Sequence, residues 1–112
     1  MHCPNVNIIF HMYKVIVFAP KSDIDRLIAA MGDAGAGKIG NYSHCAFVTK
    51  GQGTWVPLPG SHPKIGKVGT VSTEEQYKIE MVCPKTSLEH VTEAIRKHHS
   101  FETPEINIID LT

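Results

Sequence analysis

No apolar run in the chain approaches the roughly 20 residues that a membrane-spanning helix requires. The longest, around Val15 to Pro20 and Ile106 to Ile109, suit buried strands instead, so a membrane is not an expected partner. An excess of either charge is also missing: eleven Lys and Arg balance eleven Asp and Glu. Without a long-range positive field to gather phosphates, nucleic acid is not an expected partner either. Cysteine is scarce and odd in number, at three, and Cys45 and Cys83 sit in apolar stretches. There a thiol packs as a small hydrophobe, so no disulfide framework is expected and the compartment reads as reducing. The leading residues Met1-His2-Cys3-Pro4-Asn5 hold no basic segment followed by an apolar one. No secretory signal is read, and the expected location is cytoplasmic.

What is present fits one globular domain: 112 residues, 42% hydrophobic and 20% charged, enough for a single core. Tyr13 to Ala19 is a β-branched and aromatic run closed by Pro20, the pattern of a first strand. Ser22 and Asp25 have the spacing of a capping box, and Ile24, Leu27, Ile28 and Met31 recur at helical spacing; a helix is expected over Asp23 to Ala34, ended by Gly35. Asn41 to Thr49 alternates as a second strand, and Lys50 to Gly66, rich in Gly and Pro around Trp55, reads as a long loop or ragged hairpin. Gln76 to Cys83 is the third strand. Thr86 and Glu89 form a second capping box before a helix striped by Leu88, Val91, Ala94 and Ile95 and ending near His98. Pro104 opens a last strand through Ile106, Ile108 and Leu111.

The order strand, helix, strand, strand, helix, strand is that of the ferredoxin-like α+β sandwich, in which two helices cover one face of a four-stranded antiparallel sheet. Val15 and Val17 point to one face of the first strand, Ile16 and Phe18 to the other, so both faces are apolar. A second copy is expected to cover the face without helices. Residues 1–11 precede this pattern and are expected as a flexible extension without function, with 12–112 as the single domain.

Four segments in order carry a resemblance: Gly35-Ala36-Gly37-Lys38-Ile39-Gly40-Asn41-Tyr42-Ser43-His44-Cys45, Ile65-Gly66-Lys67-Val68-Gly69, Ile79-Glu80-Met81-Val82-Cys83-Pro84, and His99-Ser100-Phe101-Glu102-Thr103-Pro104. From about Tyr13 to Leu111 the chain resembles the domain inserted in YqfO proteins of the Nif3-like dinuclear-metal-centre family. That domain is similar in fold to CutA and PII proteins, which are trimers, so the resemblance implies a homotrimer with the sheets around a central axis. The last motif departs from the family's pattern at Ser100, Phe101 and Thr103. The lobes that hold the family's dinuclear metal ligands have no counterpart here, so the resemblance does not imply hydrolase or cyclohydrolase activity.

Several constellations compete with simpler readings. Gly32 to Lys38 has the spacing of a phosphate-binding P-loop, but Ile39 stands where magnesium needs Ser or Thr, and the loop runs from helix to strand. A helix cap and tight turn suit it better. His44 on the second strand and Glu80 on the third could share a face, with His99 near the last strand, and imidazole with carboxylate suits zinc or copper. The alternative is that His44 bonds Glu80 or backbone at a subunit contact. Adjacent strand residues point apart, which argues against a His44–Cys45 nucleophilic pair. Trp55 either covers a ligand or is buried under its own loop.

The expected function is a non-enzymatic, oligomeric regulatory module. It would bind a metal through His44, Glu80 and His99, or a small ligand near Gly35, Gly37, Gly40, Asn41 and Tyr42. The alternative is a structural domain that docks a protein partner without any ligand.

Overall fold

The computed structural model describes residues 11–111. The extension expected at residues 1–11 lies outside them except for His11, whose carbonyl accepts from the Lys85 amide at 3.3 Å. Four strands, β1 (Met12–Ala19), β2 (Phe47–Trp55), β3 (Ser72–Pro84) and β4 (Ile106–Asp110), alternate with helices α1 (Ile24–Asp33) and α2 (Leu88–His98). The sheet order is β2-β3-β1-β4, with every pairing antiparallel. The fold is the ferredoxin-like βαββαβ sandwich expected from the order of elements.

The apolar periods explain the layers. Val15, Val17 and Ala19 of β1 and Ile79, Met81 and Cys83 of β3 share one sheet face and are buried against Leu27, Met31, Val91 and Ile95 of the helices. Each Val, Leu, Ile or Met side chain among them contributes about 1.5–3 kcal/mol by leaving water. The other face carries Lys14, Ile16 and Phe18, and Ile16 is still only 8% exposed.

Helix α1 ends in a Schellman turn: the Ala36 amide donates to Met31 O at 3.0 Å and the Gly35 amide to Gly32 O at 3.1 Å. Gly35 supplies the positive φ of 118° that this closure needs. The helix starts differ from expectation. Both helices enter through a 3-10 turn, Lys21–Asp23 and Lys85–Ser87, and neither Asp23 nor Ser87 makes a side-chain cap hydrogen bond. The carboxylate of Asp23 is instead drawn to Arg26 and Ser100.

The second strand also shifts. Residues 41–46 are not strand, while Lys50 to Trp55, expected as loop, pair with β3 as far as Trp55↔Ser72. Gly51 and Gly53 interrupt the apolar pattern without interrupting the backbone ladder, because pairing uses only N–H and C=O groups. Strand β1 stops at Ala19↔Tyr77, so the β2–β3 ribbon runs beyond the body of the sheet. That overhang creates the main cleft.

Candidate functional site: a cleft beside the ribbon

The cleft has a volume of about 820 Å³, within the usual range for small-molecule sites. It lies beside Phe18 near the end of β1, where the ribbon continues to Trp55 and the segment after α2 turns through Phe101. Trp55 and Phe101 meet with ring centroids 5.9 Å apart at 48°. Both remain half-exposed, so Trp55 borders the cleft without being buried under its loop.

Pairing fixes the rest of the wall. Gly51 and Gly53 are in phase with Trp55 and lie opposite Gln76 and Glu74; Lys78 lies between Thr49 and Phe18 across the sheet. A methyl group on Gly53 would fall 2.5 Å from Cδ and Oε1 of Gln76, so the glycine leaves room for that amide. Lys78 is half-buried and, among the described residues, has no ion pair or side-chain hydrogen bond. Glu102 is held in place, its Oε1 accepting from the His62 amide at 2.9 Å.

Behind Phe101 a polar network fixes the turn. The Phe101 amide donates to Nδ1 of His99 at 3.0 Å, so the proton of this imidazole sits on Nε2, which donates to the Phe18 carbonyl at 2.7 Å. Asp23, 1% exposed, accepts from the Ser100 amide at 2.9 Å and the Ser100 hydroxyl at 2.6 Å, and from Arg26 at 2.6 Å. Burial alone would push the Asp23 carboxyl up, but these donors together hold it below its ordinary value of 3.8.

The residues expected to bind a metal do not meet within one protomer. His44 is not on a strand: it is exposed, in left-handed backbone with φ 58°. Its Nε2 donates to Asp33 Oδ1 at 2.9 Å and its Nδ1 accepts from the Ser43 hydroxyl at 2.9 Å. Glu80 faces Lys14 at 3.8 Å. His99 has both ring nitrogens engaged, as above. Among the described residues no group of three or more His, Cys, Asp or Glu could hold a metal ion. The residues therefore do not fit zinc or copper in a single protomer. Ser43, His44 and Asp33 have the connectivity of an acyl-transfer triad, but Ser43 is exposed and outside the cleft.

The glycines and their neighbours expected to bind a ligand build a turn. Gly35 closes α1. Gly37, with φ 81°, has no room for a Cβ, which would fall 2.7 Å from the Cys45 amide nitrogen and 2.7 Å from the Met81 methyl. Gly40 and Asn41 form the exposed tip between Ile39 and Tyr42, whose amides each donate to the other's carbonyl, at 2.9 and 3.0 Å. None of Gly35, Gly37, Gly40, Asn41 or Tyr42 lines the cleft. The cleft residues Lys78, Gly51, Gly53 and Phe101 were not singled out from sequence as site residues; the signal available was the Gly-x-Gly step before Trp55.

The chain matches no protein-family model. It is 41% identical over 100 residues to a protein named GTP cyclohydrolase 1 type 2 homolog from Halalkalibacterium halodurans, covering 89% of this chain and 27% of that protein. A Bacillus cereus protein related to NIF3 superposes with a TM-score of 0.80 at 36% identity, covering 91% of this chain and 26% of that one. The chain is a counterpart of one segment of the Nif3-related proteins. It spans about a quarter of the length of these relatives. The divalent cation tolerance protein CutA from Archaeoglobus fulgidus superposes on the Nif3-related segment with a TM-score of 0.65 at 13% identity, covering 88% of this chain and 81% of that one, which places the fold in the CutA-like group. Among the described residues no helix is long and apolar enough to cross a membrane.

Proposed function

We propose that this chain is a non-enzymatic, homotrimeric regulatory module that binds a small organic ligand in the cleft between Trp55 and Phe101. The observation that carries this reading is the cleft itself: half-exposed Trp55 and Phe101 beside a strand stretch that carries Gly51 and Gly53. Concave sites of this size that combine aromatic walls with polar groups take small molecules.

Assembly is supported by the face without helices. Ile16 and Phe18 lie on it, Phe47 is in phase there and 68% exposed, and Ile109 is 47% exposed. Such apolar surface marks an interface. Glu74 Oε1 on the ribbon is buried with no hydrogen-bond partner among the described residues, and a donor from a neighbouring protomer would satisfy it. The resemblance to the CutA-like fold supports a count of three. A cytoplasmic setting agrees with the low cysteine content.

A second reading, a domain that docks a protein partner, is favoured by the connection between β2 and β3, where Leu58 is 69% and Val71 67% exposed. Native mass spectrometry of untagged protein purified without chelator separates the two. A trimer carrying an organic adduct supports the ligand module, a bare trimer favours docking, and a bare monomer overturns the assembly.

A further inference from the structure

We infer that copies of this chain join edge to edge, β2 of one protomer pairing with β4 of the next in an antiparallel register that sets Phe47 opposite Ile109 and Val48 opposite Ile108. This rests on the homotrimeric reading proposed above and adds which surfaces meet and in what register.

Both strands are open edges. The sheet order β2-β3-β1-β4 leaves the outer sides of β2 and β4 without a paired strand among the described residues. Such an edge is a row of N–H and C=O groups ready to pair with another chain, and soluble monomers guard it with charge, proline or a covering segment. Here the start of β2 and the middle of β4 carry apolar side chains instead. Phe47 is 68% and Val48 36% exposed on β2, and Ile108 is 45% and Ile109 47% exposed on β4.

The phase of these four residues selects the register. Phe47 lies opposite Glu80 and Ile109 opposite Lys14, which puts both on the face without helices. Val48 lies opposite Ile79 and Ile108 opposite Val15, both residues of the core face. Each edge therefore offers one exposed apolar residue on each face, adjacent in sequence. A parallel join that matches one of the two pairs displaces the other by two positions, because faces alternate along a strand. The antiparallel join matches both at once. In it Thr49 stands opposite Asn107, Lys50 opposite Ile106 and Ala46 opposite Asp110, so no like charges oppose each other. The two edges are different surfaces, so the join is head-to-tail and leaves no open edge once it closes into a ring. The helices of successive copies then share one side of the continuous sheet, and the faces that carry Ile16 and Phe47 share the other.

The test is a charge swap read by sedimentation. Val48→Lys alone and Ile108→Glu alone should each turn the trimer into monomers, and the two substitutions together should restore the trimer, because the opposed positions then carry opposite charges. Far-UV circular dichroism of each variant confirms the fold. A second measurement does not depend on dissociation: in a Cys3→Ser, Cys45→Ser background, Val48→Cys with Ile108→Cys should form disulfide-linked chains on mild oxidation, whereas Phe47→Cys with Ile108→Cys, on opposite faces, should not. Single variants that remain trimeric, a double variant that stays monomeric, or cross-linking that fails or is equal in the two cysteine pairs overturns the register. Failure of the trimeric reading is seen separately, as a bare monomer in the native mass spectrum of the unsubstituted protein.

Discussion

His99 and Phe18 are joined across 81 positions of sequence by a hydrogen bond of 2.7 Å from the imidazole Nε2 to the backbone carbonyl. The same ring accepts from the Phe101 amide, so one histidine fixes two aromatic walls of the cleft. His99→Ala leaves a buried acceptor and a buried donor without partners and should lower stability by about 2–4 kcal/mol. Urea unfolding measures this, and a loss under about 0.5 kcal/mol would show that the two bonds carry little.

Asp23 makes the protein sensitive to acid. Its carboxyl titrates below 3.8 in the folded state, so the unfolded chain takes up protons first as pH falls. Its stabilisation is therefore fully present well above 3.8 and is lost as pH drops through the folded value. Urea midpoints taken from pH 7 down to pH 3 should show this decline, and Asp23→Asn should flatten the acid limb while costing about 1.5–3 kcal/mol at pH 7.

Gly53→Val tests the cleft without touching the core. Gly53 has no positive φ, so valine suits the strand backbone, but its side chain would displace the amide of Gln76 and fill the cleft. The organic adduct in the native mass spectrum should disappear while the circular dichroism spectrum and subunit number stay the same. An adduct that persists would place the ligand elsewhere.

Burial pushes the Cys83 thiol up to about 11, whereas Cys45 is half-buried. In a Cys3→Ser, Cys45→Ser variant the remaining thiol should react with a disulfide reagent at pH 8 only at the rate of unfolding, because little thiolate forms in the fold. Denaturant should accelerate the reaction; a fast reaction in buffer would contradict the buried position.

Phe47→Asp places a charge on the face without helices, where Phe47 stands in register with Glu80. If that face is the trimer interface, sedimentation should report monomers with an unchanged fold. A trimer that tolerates the aspartate would move the interface to another surface.

Much of the fold was legible in the chain because its information is local. The periods of Val15 to Phe18, Leu27 to Met31 and Val91 to Ile95 located one strand and two helices, since burial of one face imposes a period of 2 or 3.6. The second strand was misread for a related reason. The alternation through Tyr42, His44 and Ala46 suggested a strand, yet these residues follow a turn fixed by the positive φ of Gly37 and Gly40, and His44 itself turns back to bond Asp33. Expectations for His44 depended on that strand, so its separation from Glu80 and His99 was not visible.

The sequence by itself determined the order of the elements, the core faces and the two-sided first strand, because hydrophobic burial and backbone preference act over neighbouring residues. Only the tertiary structure decided the register of β2 on β3, which turns a Gly-x-Gly step from a chain break into the cleared wall of a cleft. It alone brought Phe101, 46 residues beyond Trp55 along the chain, to within 5.9 Å of it. The physical reason is that pairing and packing between distant segments depend on where every other segment ends, and here the cleft exists because β1 stops at Ala19 while the ribbon continues.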